Sequence, residues 1–266
     1  MSTAAVPASA APARSRRLPL GRRGLSRLLL AAAVLALWEL GVQLGVIDPF
    51  FFSSPSAIAA MLARQFGSGT IYKHLVVTLQ EALGGLVLGF VGGAALAWLV
   101  TRSALLADLV EPVLLLLNSV PRIVLAPLFV LWLGIGLPSK IAVAFFLVFV
   151  VIFFAVAAGI REVDRALVER IVVLGGSTRD LLLEVYIPSV LAWVFASLRV
   201  AVGFAFTGAI VGEFVGASSG LGYLLNFAQG SQNAALMMAT VVVIMVLIAG
   251  LFVALEQVER RLLAWK

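Results

Sequence analysis

The residues of this chain that could do chemistry are a few ionisable side chains within long apolar stretches. Glu39 and Glu81 fall inside such stretches, and Glu213 closes another. A charge at the centre of a bilayer costs about 2.5–3.5 kcal/mol, so an ionisable group kept there is a candidate for binding or conducting a solute. The alternative is that each carboxylate pairs with a neighbouring helix. For Glu213 we also expect hydrogen bonds from amides of the glycine-rich segment that follows it.

Catalytic chemistry finds no support in the sequence. No G-x-x-x-x-G-K-[ST] segment occurs, so the chain has no P-loop to hold ATP phosphates. There is no cysteine and one histidine, His74, which we interpret as an interfacial side chain. No metal-ligand spacing and no nucleophile with a plausible base is evident. We therefore expect no enzymatic activity, no metal site and no cofactor bound by this chain.

The most polar stretch, Arg161–Pro188, is here called the polar loop. Its first 24 residues carry nine charges, so burying them would cost about 20 kcal/mol or more, and the segment must lie outside the membrane. Apolar residues at helical spacing predict a short helix, which Gly175 and Gly176 can end because glycine adopts positive φ. Ser177, with Asp180 three residues later, is typical of the start of a second helix, which we predict to run to Pro188.

The polar loop resembles the cytoplasmic loop of permease subunits of bacterial ABC importers. That loop has the pattern EAA, three residues, Gly, nine residues, Ile-x-Leu-Pro. Glu169 and Gly175 match its spacing, and nine further residues lead to the segment 185–188, VYIP, although Arg170 and Ile171 replace the two alanines. The resemblance assigns ATPase coupling to Glu169, Gly175, Gly176, Ser177, Ile187 and Pro188.

Two further stretches are similar to the sulfonate, nitrate and taurine branch of this family. PRIVLAPLFVLWLGIG (Pro121–Gly136) resembles the third-helix signature, and GEFVGASSGLGYL (Gly212–Leu224) resembles the segment after the fifth helix. The resemblance covers about residues 28–266 and implies a homodimer, ABC ATPase subunits that bind ATP and Mg, and a periplasmic or lipid-anchored substrate-binding protein. It implies a small organic or inorganic anion as substrate, such as a sulfonate, taurine or nitrate. The Pro-Arg pair is also similar to carriers of pyrimidine precursors.

The composition indicates an all-α integral membrane protein, since 62% of residues are hydrophobic and the mean hydropathy is +1.13. We predict six transmembrane helices in a permease domain over 28–266, with the coupling helix–turn–helix between the fourth and fifth. Residues 1–27 are predicted to be a disordered, basic cytoplasmic tail, and Ser56 to cap a short surface helix over 57–66. The predicted spans are Leu28–Ile47, His74–Val100, Leu109–Leu133, Lys140–Ile160, Ser189–Gly212 and Ala234–Leu255. The segment Phe214–Asn233, which is rich in Gly, Ser, Asn and Gln, is predicted to be a loop.

Two of these spans have features beyond hydropathy. Pro121 and Pro127 interrupt the third span, and a broken helix in a membrane often borders a translocation path. The candidate path-lining residues are Pro121, Arg122, Pro127 and Glu213. For Arg122 the alternative is a structural role, either reaching an interface or satisfying freed carbonyls. In the second span Gly85, Gly89 and Gly93 predict a close helix contact, within or between subunits.

The basic residues predict the orientation in the bacterial inner membrane. With both termini inside, fourteen of the nineteen basic residues fall in inner segments and three, Arg64, Lys73 and Lys140, in outer ones. The polar loop is then cytoplasmic. We attribute the net charge of +6 to this topology and to contacts with membrane lipid. We do not expect nucleic acid as a partner.

The favoured hypothesis is the permease subunit of an ATP-driven ABC importer. The alternative is a secondary transporter or channel that works without ATPase partners. That class favours ion-coupling residues within the membrane, more spans or an internal repeat, and gives no reason for an ATPase-docking loop.

Overall fold

The computed structural model describes residues 20–262, and all regular elements in that part are helical. The chain divides into a first unit that ends at Asp48 and a second that begins at Pro49. The helices are α1 (Leu20–Gln43), α2 (Pro49–Phe52), α3 (Pro55–Gly67), α4 (Thr70–Thr101), α5 (Ala104–Ser119), α6 (Ala126–Leu133), α7 (Leu137–Arg161), α8 (Arg165–Val173), α9 (Thr178–Leu181), α10 (Ile187–Val215), α11 (Leu221–Gly230) and α12 (Ala234–Leu262).

The first unit contains α1, which starts eight residues before the predicted span at Leu28. Arg22, Arg23 and Arg27 therefore lie within the helix, as expected for a residue type of high helix propensity. Within α1 the side chain of Gln43 donates a hydrogen bond of 3.2 Å to Glu39, one turn earlier. Residues 1–19 of the predicted disordered tail lie outside the described residues.

The core of the second unit is formed where α4, α7 and α10 pack together, and small residues set how closely they approach. An added Cβ at Gly85 would lie 2.3 Å from the Cβ of Ala144, and one at Gly208 would lie 2.6 Å from the Cα of the same alanine. Gly89 and Gly93 on α4 are also buried against α7. The glycine face of α4 therefore makes its close contact within the subunit, where backbones nearly touch.

Within residues 20–262, five apolar helices are long enough to cross a membrane, or six if α5 and α6 form one span. These two helices are bent by 90° relative to each other. Val120 has extended backbone angles (φ −77°, ψ 137°), which the residue before a proline favours, and Pro121 has no amide hydrogen for a helical bond. A short 3₁₀ turn, Arg122–Leu125, then leads into α6, where Pro127 lies in the tolerated first turn. The third predicted span is thus a broken pair of helices.

Three local predictions in the second unit are wrong. The cap of α3 is Ser54 and not Ser56: the Ser54 hydroxyl accepts from the Ala57 amide at 3.2 Å, because Pro55 fixes the first helical position. The segment 214–233, predicted as a loop, contains α11. Lys140, predicted in an outer segment, lies within α7 and is fully buried. This leaves Arg64 on α3 and Lys73 near the start of α4 as the basic residues on the predicted outer side.

Candidate functional site: the polar loop and a buried charged cluster

The first helix of the polar loop, α8, has a defined start and end. Asp164 caps its N-terminus and accepts a hydrogen bond of 2.9 Å from the Ala166 amide. At the C-terminus the Gly176 amide donates to the Ile171 carbonyl at 2.9 Å, and the Gly175 amide donates to Val172 at 3.0 Å. Gly175 has φ 77°, as predicted, so the pair forms a Schellman-type end.

The second loop helix, α9, begins with the predicted capping box. The Asp180 amide donates to the Ser177 hydroxyl at 3.3 Å, and the Ser177 amide donates to the Asp180 carboxylate at 2.7 Å. The Ser177 hydroxyl also donates to that carboxylate at 2.6 Å. These bonds from Ser177, the side-chain one first, hold the pKa of Asp180 below its usual value. Both ends of the turn between α8 and α9 are therefore fixed by local hydrogen bonds.

The prediction that the second loop helix ends at Pro188 is wrong. The chain is helical from Thr178 to Val215, because α9 continues through a π-helical turn over Leu182–Tyr186 into α10. Pro188 lies in the first turn of α10. Pro188 has no amide hydrogen to donate to the carbonyl four residues earlier, and in an α-helix its ring would clash with that carbonyl. The wider π turn accommodates both effects. The polar loop and the apolar helix α10 thus share one helical path.

The exposed face of α8 is apolar near its C-terminal end. Val173 is 85% exposed and Leu174 is 77% exposed, next to the turn at Gly175. Glu169 is exposed, and among the described residues it forms no ion pair with Arg165, one turn earlier on α8. The polar loop is instead joined to α5 by an ion pair between Arg161 and Glu111.

The broken third span contributes a cleft of 290 Å³. Asn118, Ser119, Pro121 and Phe204 are among the residues that line it. Pro127 is exposed on α6. Arg122 lies in the 3₁₀ turn, and its side chain is outside the described part of the structure. The cleft therefore lies beside the break that Pro121 produces.

Glu213 is not on an open surface: it is 1% exposed, and the segment that follows it folds back onto its carboxylate. One carboxylate oxygen accepts from the Gly222 amide at 2.6 Å, as the sequence analysis expected, and the other accepts from the Thr78 hydroxyl at 2.6 Å. Gly222 is in the first turn of α11, whose free amides favour an anion. An added Cβ at Gly220 would lie 2.1 Å from the carboxyl carbon of Glu213, so the glycines let the backbone approach it.

Glu81 and Lys140 complete a cluster with Glu213, Thr78 and His74, here called the buried charged cluster. Lys140 is fully buried; it donates to the Ile135 carbonyl and lies 3.2 Å from the Ser139 hydroxyl. Its positive charge attracts both carboxylates. Glu81 is 3% exposed, and its Oε2 has no hydrogen-bond partner among the described residues. The cluster joins α4, α7 and α10 at one point.

His74, predicted as an interfacial side chain, is buried in this cluster. Its Nδ1 accepts a hydrogen bond of 3.0 Å from the Gly220 amide, and its ring stacks on Tyr223 with 5.9 Å between the centroids. His74, Thr78 and Glu81 are spaced i, i+4, i+7 and extend the glycine face of α4. That spacing could have predicted the polar part of the cluster. No comparable signal was available for Lys140, which follows a Gly-Leu-Pro-Ser segment like an ordinary flanking lysine.

The described part of the chain has five or six apolar helices and a helix–turn–helix outside them, an arrangement that fits a membrane transport permease. The chain belongs to the family described as binding-protein-dependent transport system inner membrane component, whose sequence profile matches residues 85–264. This family is a component of transporters and not a class of enzymes.

Relatives of known name support the same assignment. The chain is 32% identical to the riboflavin transport system permease protein RibX of Chloroflexus aurantiacus, over 88% of this chain and 87% of the relative. It is 30% identical to the putative aliphatic sulfonates transport permease protein SsuC of Bacillus subtilis, over 90% of this chain and 87% of the relative.

Among solved structures, the methionine ABC transporter MetNI in an inward-facing conformation has a similar fold. The TM-score is 0.57 at 23% identity, with 72% of this chain and 93% of that chain covered. The similarity extends the permease assignment to the arrangement of the helices.

Proposed function

We propose that this chain forms the translocation path of an ATP-driven ABC importer and is driven through its polar loop. Membership of the binding-protein-dependent family supports the importer class. A homodimer, two ATPase subunits and a substrate-binding protein complete the transporter. ATP and Mg bind the ATPase subunits, because this chain has no P-loop for phosphates.

The single observation that carries the proposal is the continuous helical path from Thr178 to Val215. A motion applied to α9 passes along this path into α10, which packs on α7 through Gly208. The capping box and the glycine turn hold α8 and α9 in a fixed orientation. A movement of the ATPase is therefore transmitted to α10 and is not lost in a flexible loop. Alternating access follows when ATPase closure moves the two loops of the dimer and rocks the core helices.

The ATPase contacts the exposed end of α8. Val173 and Leu174 present apolar surface that a soluble partner can cover, beside a rigid turn. In this arrangement Glu169 is available for an arginine of the ATPase, since it does not pair with Arg165. Both termini and the polar loop face the cytoplasm, as the distribution of basic residues supports.

The substrate is a small anion of the sulfonate, taurine or nitrate type. The similarity to a sulfonate permease supports this class, and Arg122, which follows the cleft-lining Pro121 in the sequence, is the candidate cation of the path. A second candidate is a heteroaromatic solute, favoured by the 32% identity to a riboflavin permease.

The test is uptake by proteoliposomes that contain this chain, its ATPase subunit and its binding protein. We expect ATP-dependent accumulation of a radiolabelled alkanesulfonate, and none when the ATPase is left out. Uptake by the chain alone, without ATP, would favour a secondary transporter or channel. ATP-dependent uptake of riboflavin but not of the sulfonate would support the heteroaromatic solute as substrate. The assignment as an ABC importer would then still hold. Cysteines at Ser218 and Thr178 test the orientation, because only the first should react with an impermeant label in intact cells.

A further inference from the structure

A cavity of 690 Å³ lies between the polar loop and the ends of α4 and α5. Arg102 and Ser103 line it from the α4–α5 turn, Arg161 from the end of α7, and Arg165 and Glu169 from α8. Arg161 is engaged by Glu111. Arg102 and Arg165 therefore remain as cationic lining residues beside a single lining carboxylate, Glu169, and this lining suits an anionic group.

An apolar groove of 270 Å³ lies directly next to this cavity. The two share Ile160 and Tyr186 as wall residues. The rest of the groove is apolar side-chain surface of α4, α7, the π turn and α10: Phe90, Ala94, Trp98, Val156, Leu182, Ile187, Val190, Leu191 and Val194. A cavity with cationic lining residues thus adjoins a groove with an apolar lining.

An aromatic pair marks the boundary between the two. Trp98 and Tyr186 meet edge to face, with 6.2 Å between their centroids, and the Arg102 guanidinium lies 4.2 Å above the Trp98 ring. Tryptophan and tyrosine concentrate at the level of lipid headgroups. The aromatic pair is consistent with a cavity at headgroup depth and a groove at acyl-chain depth.

We propose that the cavity and the groove form one binding site for an anionic phospholipid. The headgroup phosphate lies between Arg102 and Arg165, and one acyl chain lies in the groove. Basic pockets between helices at a membrane surface recognise lipid phosphates in this way. The bound lipid braces α8 against the α4–α5 turn, and this role does not depend on which solute is transported.

The site is separate from most of the face of α8 that is free for the ATPase; Glu169, which lines the cavity but is also exposed, lies at the border between them. Arg165, Val168 and Glu169 line the cavity at spacing i, i+3, i+4. Leu167, Arg170 and Leu174, at i, i+3, i+7, lie on the opposite side of the helix, and all three are exposed. A lipid and an ATPase can therefore occupy the polar loop together.

The test uses the purified full-length chain in nanodiscs of phosphatidylcholine doped with phosphatidylglycerol. The lipid retained after extraction is counted by native mass spectrometry, and the unfolding midpoint is followed with rising phosphatidylglycerol. We expect one retained phosphatidylglycerol per chain and a rising midpoint. The double variant Arg102→Gln/Arg165→Gln should retain at least tenfold less phosphatidylglycerol, and its unfolding midpoint should no longer rise with phosphatidylglycerol. Arg170→Gln removes one exposed charge from the other face of α8 and should behave as wild type.

Three outcomes would overturn the proposal. Equal retention by wild type and the double variant would mean that the arginines do not hold a lipid. A midpoint raised as much by inorganic phosphate as by phosphatidylglycerol would indicate a site for a soluble anion. Displacement of the retained lipid when the ATPase subunit is added would assign the cavity to the ATPase interface.

Discussion

Thr78 on α4 donates a hydrogen bond of 2.6 Å to Glu213 on α10, although 135 residues separate them in the chain. The same hydroxyl accepts from the Leu221 amide at 2.8 Å, at the start of α11. Because a threonine hydroxyl donates once and accepts twice, both contacts are satisfied at one oxygen. Thr78 therefore ties α4 to both ends of the segment that joins α10 to α11.

Replacing Thr78 tests the strength of this connection. Thr78→Val keeps the shape but leaves the Leu221 amide and one Glu213 oxygen without this partner in a buried place. A buried polar group that loses its partner costs about 1–3 kcal/mol, so the unfolding midpoint in detergent should fall clearly. The matched control is Thr207→Val, whose hydroxyl bonds only to the Gly203 carbonyl of its own helix. Equal midpoints for the two variants would contradict the assigned role of Thr78.

Lys140 should be the residue of the buried charged cluster that is least tolerant of change. Lys140→Met removes the buried cation whose charge attracts Glu81 and Glu213, and buried acidic groups left without a compensating cation are strongly destabilising. We expect poor assembly and rapid loss from detergent, measured by size-exclusion chromatography. The double variant Lys140→Met/Glu81→Gln should recover part of the loss, because one uncompensated carboxylate is gone. Lys73→Met, at an exposed position on α4, is the control.

The features that local sequence determines were predictable. The turn at Gly175 and the capping box at Ser177 depend on residues at most five positions apart, so their patterns are visible in the chain. The buried charged cluster depends on helices that meet only in the folded state. From the sequence alone, Lys140 resembles a basic residue that flanks a membrane span, and only the packing of α7 against α4 shows that it is buried. Pro188 was misleading because a proline ends an ideal helix, whereas a π turn accommodates it.

Bulk on the glycine face should prevent α4 from packing on α7. Gly89→Leu places a side chain where a Cβ alone would lie 2.9 Å from the Phe145 carbonyl oxygen, so the helices must separate. We expect little folded protein after extraction, measured by monodispersity and yield. Gly250→Leu is the control, because nothing lies within 4 Å of an added Cβ there. A well-folded Gly89→Leu variant would show that this contact is dispensable.

Arg122 is the cationic residue of the candidate path. If its charge attracts an anionic substrate, Arg122→Ala should lower uptake at least tenfold and leave assembly with the ATPase intact. Arg122→Lys keeps the charge and should retain most of the uptake. Unchanged uptake in Arg122→Ala would return the residue to a structural role. Loss of assembly in both variants would point to its bonding the carbonyls that Pro121 frees.

The last prediction concerns coupling at Gly175. This residue has φ 77°, and no atom lies within 4 Å of an added Cβ, so a side chain is opposed by backbone strain and not by a collision. A β-branched residue in that conformation costs about 1–3 kcal/mol, enough to undo the short turn between α8 and α9. Gly175→Val should therefore abolish uptake and weaken ATPase binding while the apolar helices stay inserted.

Asparagine provides the matched control for that prediction, because it tolerates positive φ far better than valine does. Gly175→Asn should keep most of the uptake and of the ATPase copurification, which a simple intolerance of side chains at this position would not allow. Glu169→Ala should have a milder effect than Gly175→Val, since an exposed ion pair with the ATPase contributes about 0–1 kcal/mol. The measurements are copurification of the ATPase and substrate-stimulated ATP hydrolysis. If Gly175→Val keeps both at the wild-type level, the polar loop is not the element that couples ATP hydrolysis to transport.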